Sequence, residues 1–442
     1  MKYIVEILGY LIVTYIIILT LKQCKSEIMN NKSQSIFDTN VTRNINHEII
    51  NHNKTNNDFV PYQGERFDIF DWTFFKSISK KYSKNVIISP ISLKIALVLL
   101  YEGAQGETAY ELANILQLPA TRNATRKKFS NILQSLQTNF TAYTLNIGTR
   151  IYIDSNILVR QQYEANVKFF YNTDVIIANL SNAQPLVKAI NNWVNNITNA
   201  NIDRIIEDDN SVKNSLMLIV NTLFFKGLWR GKYFSPENTR NGKFYLIDNR
   251  TVDTSIMHAY GRFYYVESSD LDAKILRIPY DGQFAIYLLL PRIINGIDEL
   301  IDKINPFVLT RYMWLMQDLS VDVLIPKFKF DFSSHLESIL RELGICDIFD
   351  DTATLTGIAQ TKRTSKRLKV SNILQKAGIE INENGTTAYV ATEIEIGNKN
   401  QDETFHANHP FLFYIEDESI GTIIYIGKIM NPLDTMDNVK IK

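Results

Sequence analysis

The chain has 442 residues, enough for one large core or two to three smaller domains, and its 45% hydrophobic and 21% charged content is ordinary for a folded protein. Equal numbers of basic and acidic residues give a formal net charge of zero, which excludes a general electrostatic attraction to nucleic acid or to anionic membranes. The only cysteines are Cys24 and Cys346, and cleavage after Ser26 would leave Cys346 alone, so a sizeable hydrophobic core, and not disulfides, must hold the fold.

The N-terminal stretch has the pattern of a secretory signal. A lysine precedes an apolar run over residues 3–21, which Glu6 interrupts, and a polar segment follows with small residues at Cys24 and Ser26. An uncleaved membrane anchor is the alternative, because the run is long enough to span a bilayer. We expect residues 1–26 to be removed, which leaves a secreted, extracellular protein without a membrane attachment.

Residues 27–65 are rich in Asn, Lys and Ser and show little periodicity, so we interpret them as a flexible polar extension. Secretion is also consistent with the Asn-x-Ser/Thr glycosylation signals, although a chain so rich in Asn contains some of them by chance. The candidate glycosylation sites are Asn31, Asn40, Asn53, Asn123, Asn139, Asn179, Asn196, Asn249 and Asn384.

Helices and strands then follow without a regular alternation. Phe70, Phe74 and Ile78 fall near one face of a first predicted helix, and Ser89 with Pro90 suits the cap and first turn of the next. The apolar run 216–227 predicts a strand in the interior of a sheet, and further strands are predicted over 244–290 and 321–330. This mixture predicts an α+β domain, without an internal repeat.

Three sequence motifs typical of enzymes are absent. There is no HExxH pair, GxSxG elbow or Gly-rich phosphate loop. His406 and His409 lie close in sequence, but no cysteine or carboxylate set accompanies them, so we interpret them as loop and strand residues and not as metal ligands. The sequence therefore gives no basis for an enzyme, a cofactor or a metal site.

The segment from Glu383 to Pro410 lies between two segments that look firmly built into the fold. Residues 369–382 are interpreted as a helix-to-strand passage, and residues 409–429 predict two strands joined by a polar turn. About twenty-five residues without a core pattern are too many for an ordinary connection in a compact domain. Such a loop is usually functional or disordered.

This loop contains the pattern of a strand. Its alternate residues are small or apolar, while those between them form a more polar face. A strand pattern within a connection suggests insertion into a sheet in a second state, with Gly385 as the flexible pivot. A permanently paired hairpin strand is the alternative. The residues on the first face are Thr386, Ala388, Val390, Thr392, Ile394 and Ile396.

Several segments of the chain resemble those of the serpins and occur in the family's order. They are residues 85–108, 220–229, 275–282 and 324–330, the hinge residues 383–386 with the run 388–392, and the C-terminal segment 409–432. The resemblance implies the α+β serpin fold, with three β-sheets, about nine helices and an exposed reactive-centre loop at about residues 385–409. The resulting assignment is a signal at 1–26, an extension at 27–65, a serpin domain at 66–432 and a tail at 433–442.

The resemblance also assigns roles by position. The hinge would comprise Glu383, Gly385, Thr386, Ala388, Val390, Ala391 and Thr392. The region that lets the central strands of the main sheet part would comprise Asn85, Ser89, Ser92, Asn221, Trp229 and Gln375, and residues 191–202 would belong to a helix that covers this sheet. The basic residues Arg122, Arg126, Lys127 and Lys128 lie where some serpins bind glycosaminoglycans, with a solvated helix end as the alternative.

The implied function is inhibition of a serine protease by a monomeric suicide substrate. The protease attacks the loop and forms an acyl-enzyme, and the cut loop inserts as a new strand that traps the enzyme. Counting from Gly385 places the specificity residue at Lys399 and the reactive bond before Asn400. Lys399 is also the only lysine or arginine between Gly385 and Pro410, and the acidic pocket of a trypsin-like protease would select it.

A serpin that has lost inhibition and acts as a carrier, chaperone or storage protein is the alternative. Tyr389 and Val390 are bulky where inhibitory hinges favour small residues. Gln375 stands where many serpins have a histidine, and Asn384 creates a glycosylation signal beside the pivot.

Overall fold

The computed structural model describes residues 59–137, 142–209, 212–213, 215–231, 233–361, 368–385 and 403–434. All of them except Phe59 belong to one compact unit that begins at Val60. The predicted signal and most of the extension, loop and tail lie outside these residues. Within the described part of the chain, no helix is long and apolar enough to cross a membrane.

Nine α-helices occur in the described residues. They are Ile69–Lys81, Pro90–Gly103, Gly106–Ile115, Arg122–Leu136, Gln161–Tyr171, Ala183–Ile197, Ile297–Lys303, Pro306–Leu315 and Glu337–Glu342. The predicted face of the first helix is confirmed, because Phe70, Phe74 and Ile78 are buried. The predicted start of the second is confirmed too, since Ser89 Oγ accepts the Ser92 N–H at 3.4 Å as an N-cap.

The strands of the described residues form three sheets. The largest contains β1 Val86–Ile88, β6 Arg240–Tyr245, β7 Thr251–Ser268, β8 Ala273–Pro279, β9 Phe284–Pro291, β10 Gln317–Pro326, β14 Glu403–His406, β15 Phe411–Asp417 and β16 Thr422–Ile429. A smaller sheet has the order β11 Phe328–His335, β13 Asn372–Ile381, β5 Met217–Gly227, β2 Tyr143–Asp154 and β4 Asp174–Ala178. Two short strands, β3 Ile157–Val159 and β12 Ala359–Thr361, pair with each other.

The interpretation of residues 369–382 as a helix-to-strand passage is wrong, because residues 372–381 form one continuous strand, β13. This strand is central and buried on both faces, so its polar residues do not alternate with apolar ones. Gln375 and Lys376 are consecutive and both buried. Lys376 forms an ion pair of 2.7 Å with Asp331 on the neighbouring strand β11.

The two faces of the five-stranded sheet pack against different layers. The Ala183–Ile197 helix covers one face through an apolar cluster, as expected of residues 191–202, although the helix ends at Ile197. Side chains alternate along a strand, so the residues between the clustered ones face the opposite layer, which contains the Pro90–Gly103 helix and β16. The cluster includes Leu186, Ile190, Val194, Leu218, Val220 and Leu374.

Candidate functional site

The boundary between β5 and β13, here called the seam, is closed along most of its length and open at one end. The two strands run parallel and pair from Leu218 with Asn372 to Phe224 with Gly378. Within these described strands, β5 continues to Gly227 and β13 to Ile381 without pairing with each other. Each stays paired to its outer neighbour over that length. The central strands therefore diverge at their carboxyl ends.

The chain leaves β13 at this open end through a turn that requires glycine. The Gly385 N–H donates to the Asn382 carbonyl at 3.0 Å, and Gly385 has a φ of +76°. A Cβ at this position would lie 2.5 Å from the Gly227 carbonyl oxygen and 2.6 Å from the Trp229 nitrogen. Both the backbone conformation and the space therefore exclude a larger residue. The described part of the predicted hinge ends here, and Thr386, Ala388, Val390, Ala391 and Thr392 lie outside it.

Trp229 connects the end of β5 to this turn. Its indole Nε1–H donates to the Asn382 carbonyl at 3.1 Å, and its backbone N–H donates to the Asn384 carbonyl at 3.4 Å. The ring is buried and stacks on Tyr280 with a centroid distance of 4.5 Å. Trp229 thus holds the first residues after β13 beside the open end of the seam.

The carboxylate of Glu383 anchors the same turn. Its Oε1 accepts the Thr239 hydroxyl at 2.7 Å, and its Oε2 lies 2.9 Å from the Lys327 ammonium. Burial opposes ionisation, but these two donors hold the pKa of Glu383 below its ordinary value. The turn is therefore fixed by a charge pair as well as by backbone contacts.

A buried polar network closes the middle of the seam. Gln375 on β13 donates to the Asn221 Oδ1 on β5 at 3.1 Å and to the Ser89 carbonyl at 2.9 Å, and its Oε1 accepts the Ser89 N–H at 3.1 Å. Asn221 donates to the Ser92 carbonyl at 3.1 Å and accepts the Ser92 hydroxyl at 2.5 Å. Both strands are therefore tied to the start of the Pro90–Gly103 helix.

Five of the six residues that the sequence assigned to sheet opening lie at the seam, whereas Asn85 does not contact it. The Asn85 amide donates to the Asn431 carbonyl at 2.8 Å and accepts the backbone N–H of Met430 at 2.7 Å. It therefore holds the chain that follows β16. Its proximity to Ser89 and Ser92 in sequence concealed this separate role.

Comparison with known proteins agrees with this geometry. The model of the serpin family, whose description is serine protease inhibitor, matches residues 67–432. The chain belongs to the serpin family. Serine protease inhibitor 2 of Anopheles gambiae is 39% identical over 385 residues, which are 84% of this chain and 93% of that protein. A serine protease inhibitor role is supported.

Solved structures share the fold. Serpin48 of the insect Tenebrio molitor, described as highly specific, gives a TM-score of 0.74 at 28% identity and covers 83% of this chain and 96% of its own. Human thyroxine-binding globulin, complexed with thyroxine, gives a TM-score of 0.76 at 25% identity, and the match covers 83% of this chain and 97% of that protein. The α+β serpin fold expected from the sequence, with three sheets and nine helices in the described residues, is confirmed.

The basic cluster of this serpin is largely engaged within the protein. Arg122 donates to the carbonyls of Tyr101 and Ala104, and Arg126 pairs with the buried Glu102 at 2.7 Å. Lys127 is exposed. The Lys128 ammonium lies 3.7 Å from the centroid of the Phe67 ring. Glycosaminoglycan binding stays a prediction, and the pairing of both arginines gives it no support.

Most of the described glycosylation candidates are accessible in this serpin. Asn123, Asn179, Asn196 and Asn249 are exposed, while Asn384 is half-buried in the hinge turn. The remaining candidates, Asn31, Asn40, Asn53 and Asn139, lie outside the described residues.

Sequence reasoning missed a cluster at β14, a strand that lies within the segment assigned to the loop at about residues 385–409. Asp322 on β10 accepts from both histidines that face it, with its Oδ1 2.6 Å from His258 Nε2 and its Oδ2 2.8 Å from His406 Nε2. The carboxylate lies between the two imidazoles, so this group is a hydrogen-bonded cluster that joins β7, β10 and β14. His409, the other histidine considered as a metal ligand, lies 2.8 Å from the Pro291 carbonyl.

Proposed function

We propose that this serpin is a secreted suicide inhibitor of a trypsin-like serine protease. The protease cuts between Lys399 and Asn400, and residues 386–396 then insert between β5 and β13. The observation that carries the proposal is the divergence of these strands at the end where Gly385 leaves the sheet. The inserting residues and the reactive bond themselves lie outside the described residues.

The direction of the strands makes insertion favourable. β5 and β13 are parallel, and a segment that turns back from the end of β13 would run antiparallel to both. Insertion would replace one parallel ladder by two antiparallel ladders, which are slightly more stable per residue. The small or apolar residues on one face of the loop strand would then be buried, which adds hydrophobic stabilisation.

The covalent step follows the chemistry of serine proteases. The serine Oγ of the enzyme attacks the carbonyl carbon of Lys399, the bond to Asn400 breaks, and the new amino group of Asn400 takes up a proton. The product is an ester between Lys399 and the enzyme. Insertion of the freed loop would carry the bound enzyme away before water hydrolyses this ester.

Secretion is part of the same proposal. It requires removal of residues 1–26, and it would expose the surface asparagines to glycosylation. Sequencing the N-terminus of the protein collected from the medium of expressing cells tests it. A mature chain that begins at Glu27 is expected, and a chain that stays in the cell with Met1 in place would contradict it.

The test of inhibition is incubation with a panel of trypsin-like proteases, followed by denaturing gel electrophoresis. We expect a covalent complex that survives denaturation and a new N-terminus at Asn400. Lys399→Glu should abolish the complex, whereas Lys243→Glu, a charge reversal at an exposed position of β6, should leave it unchanged. Complex formation by Lys399→Glu at the parent's rate would refute the assignment of the reactive bond.

A non-inhibitory carrier is the competing proposal, and two observations favour it. The fold is similar to that of human thyroxine-binding globulin, and Tyr389 and Val390 are bulky for a hinge. A carrier would be cut by the panel without forming a complex, so the same gel distinguishes the two functions.

A further inference from the structure

A tyrosine of the nine-stranded sheet reaches the point where the seam opens. Tyr425 on β16 is fully buried. Its hydroxyl oxygen lies 2.7 Å from the Leu223 carbonyl oxygen on β5 and 2.9 Å from the Gly378 carbonyl oxygen on β13. Gly378 belongs to the last pair of the seam, and Leu223 directly precedes its partner Phe224. The hydroxyl is therefore shared between the two strands at their point of divergence.

We propose that Tyr425 is a positioning residue that limits how far the seam is open before insertion. Its single hydroxyl proton serves a carbonyl on each strand, so separating the strands must lengthen at least one of these contacts. A buried carbonyl without a donor is costly, and the tyrosine therefore resists separation. The consequence for trapping a protease rests on the function proposed above.

The position of Tyr425 distinguishes it from the other side chains that tie the seam. Asn221 contacts Gln375, and the Thr222 hydroxyl donates to the Lys376 carbonyl at 3.3 Å, both within the paired part. Tyr425 acts at the fork itself, so a strand that enters from the open end meets its contacts before those of Asn221 and Thr222. Burial raises the pKa of Tyr425 far above the ordinary value, so the group stays a neutral donor.

The chain offers a matched control for removing this hydroxyl. Tyr163 is also buried, and its hydroxyl donates to a backbone carbonyl, that of Leu99, at 2.9 Å. Tyr425→Phe and Tyr163→Phe each remove one buried hydroxyl donor and keep the ring. We expect similar decreases of the urea midpoint in the two variants, whereas only the first loosens the seam.

Two measurements on the uncut proteins report how readily β5 and β13 separate at the seam. The first is hydrogen exchange of the backbone amides of β5 and β13, and the second is the rate at which a synthetic peptide of residues 386–396 anneals to the protein. Tyr425→Phe should increase both about fivefold, the change expected for one ordinary hydrogen bond. Tyr163→Phe should leave both at the parent's values.

Equal effects of the two variants on amide exchange and on peptide annealing would overturn the proposal, because Tyr425 would then be only a structural residue. Failure of Tyr425→Phe to fold would also overturn it, because the hydroxyl would then be needed for folding itself. Amide exchange requires neither protease nor peptide. If the peptide anneals to no variant, the proposed insertion fails, while the exchange of the seam still decides the role of Tyr425.

Discussion

Gln375 links β13 to β5 and to the start of the Pro90–Gly103 helix. Its replacement of a histidine that many serpins have here looked like a loss. The amide, however, carries two donors and an acceptor, and it uses them to hold Ser89 and Asn221 at once. A glutamine can therefore close the seam, and this position no longer argues for a non-inhibitory serpin.

Lys428 gives a residue-level prediction for stability. It is buried on β16, and its ammonium donates to the carbonyls of Ser79 at 2.9 Å and Tyr82 at 2.8 Å. Burial lowers the pKa of Lys428 to about 8. Below that pH the folded protein keeps a buried charge that the unfolded chain holds in water, which lowers the free energy of unfolding. This penalty is relieved as the pH rises from about 8 to the ordinary lysine value of about 10.4.

The measurement is the urea midpoint between pH 7.5 and 10, for the parent and for Lys428→Met. We expect the parent to gain up to about 3 kcal/mol from this group over the alkaline range, and the variant to lack that gain. Other groups titrate equally in both proteins, so only the difference matters. Parallel pH profiles would show that Lys428 does not titrate there.

At the level of elements, prediction succeeded where a continuous apolar run, a turn or a local cap marks the element. Ser89 and Pro90 marked a helix start, and the strands near the C-terminus had clear turns between them. It failed for β13, because Gln375, Lys376 and Gly378 lie within this buried strand, so its sequence shows neither an alternation nor an unbroken apolar run. The hydrogen-bonded cluster at Asp322 could not be predicted from the sequence either, since it joins three strands whose pairing only the fold determines.

The loop strand carries the element-level prediction. If the face that begins at Thr386 becomes buried on insertion, Thr386→Arg places a charge in an apolar site at a cost of several kcal/mol. Insertion should slow or fail, and the protease should cut the variant at Lys399 as an ordinary substrate. Thr387→Arg, on the more polar face, is the control and should still form complexes. The ratio of complex to cleaved product on a denaturing gel measures the effect, and equal ratios for the two variants would refute insertion through this face.

At the scale of the whole molecule, the order of the serpin segments was sufficient to predict the family and the fold, because each segment corresponds to a stretch of the shared core. The open end of the seam was not predictable. It depends on where two strands stop pairing, although both continue as strands with their outer neighbours. The contacts of Tyr425 were not predictable either, because they join β16 to β5 and β13, which are distant in sequence and belong to another sheet.

The central claim is that the loop inserts between β5 and β13, and a crystal structure of the protein after cleavage at Lys399 tests it most directly. We predict a six-stranded sheet in which residues 386–396 run antiparallel to both strands, with Gln375 and Asn221 separated by the new strand. A cleaved protein in which Asn372–Gly378 still pairs with Leu218–Phe224 would contradict the account.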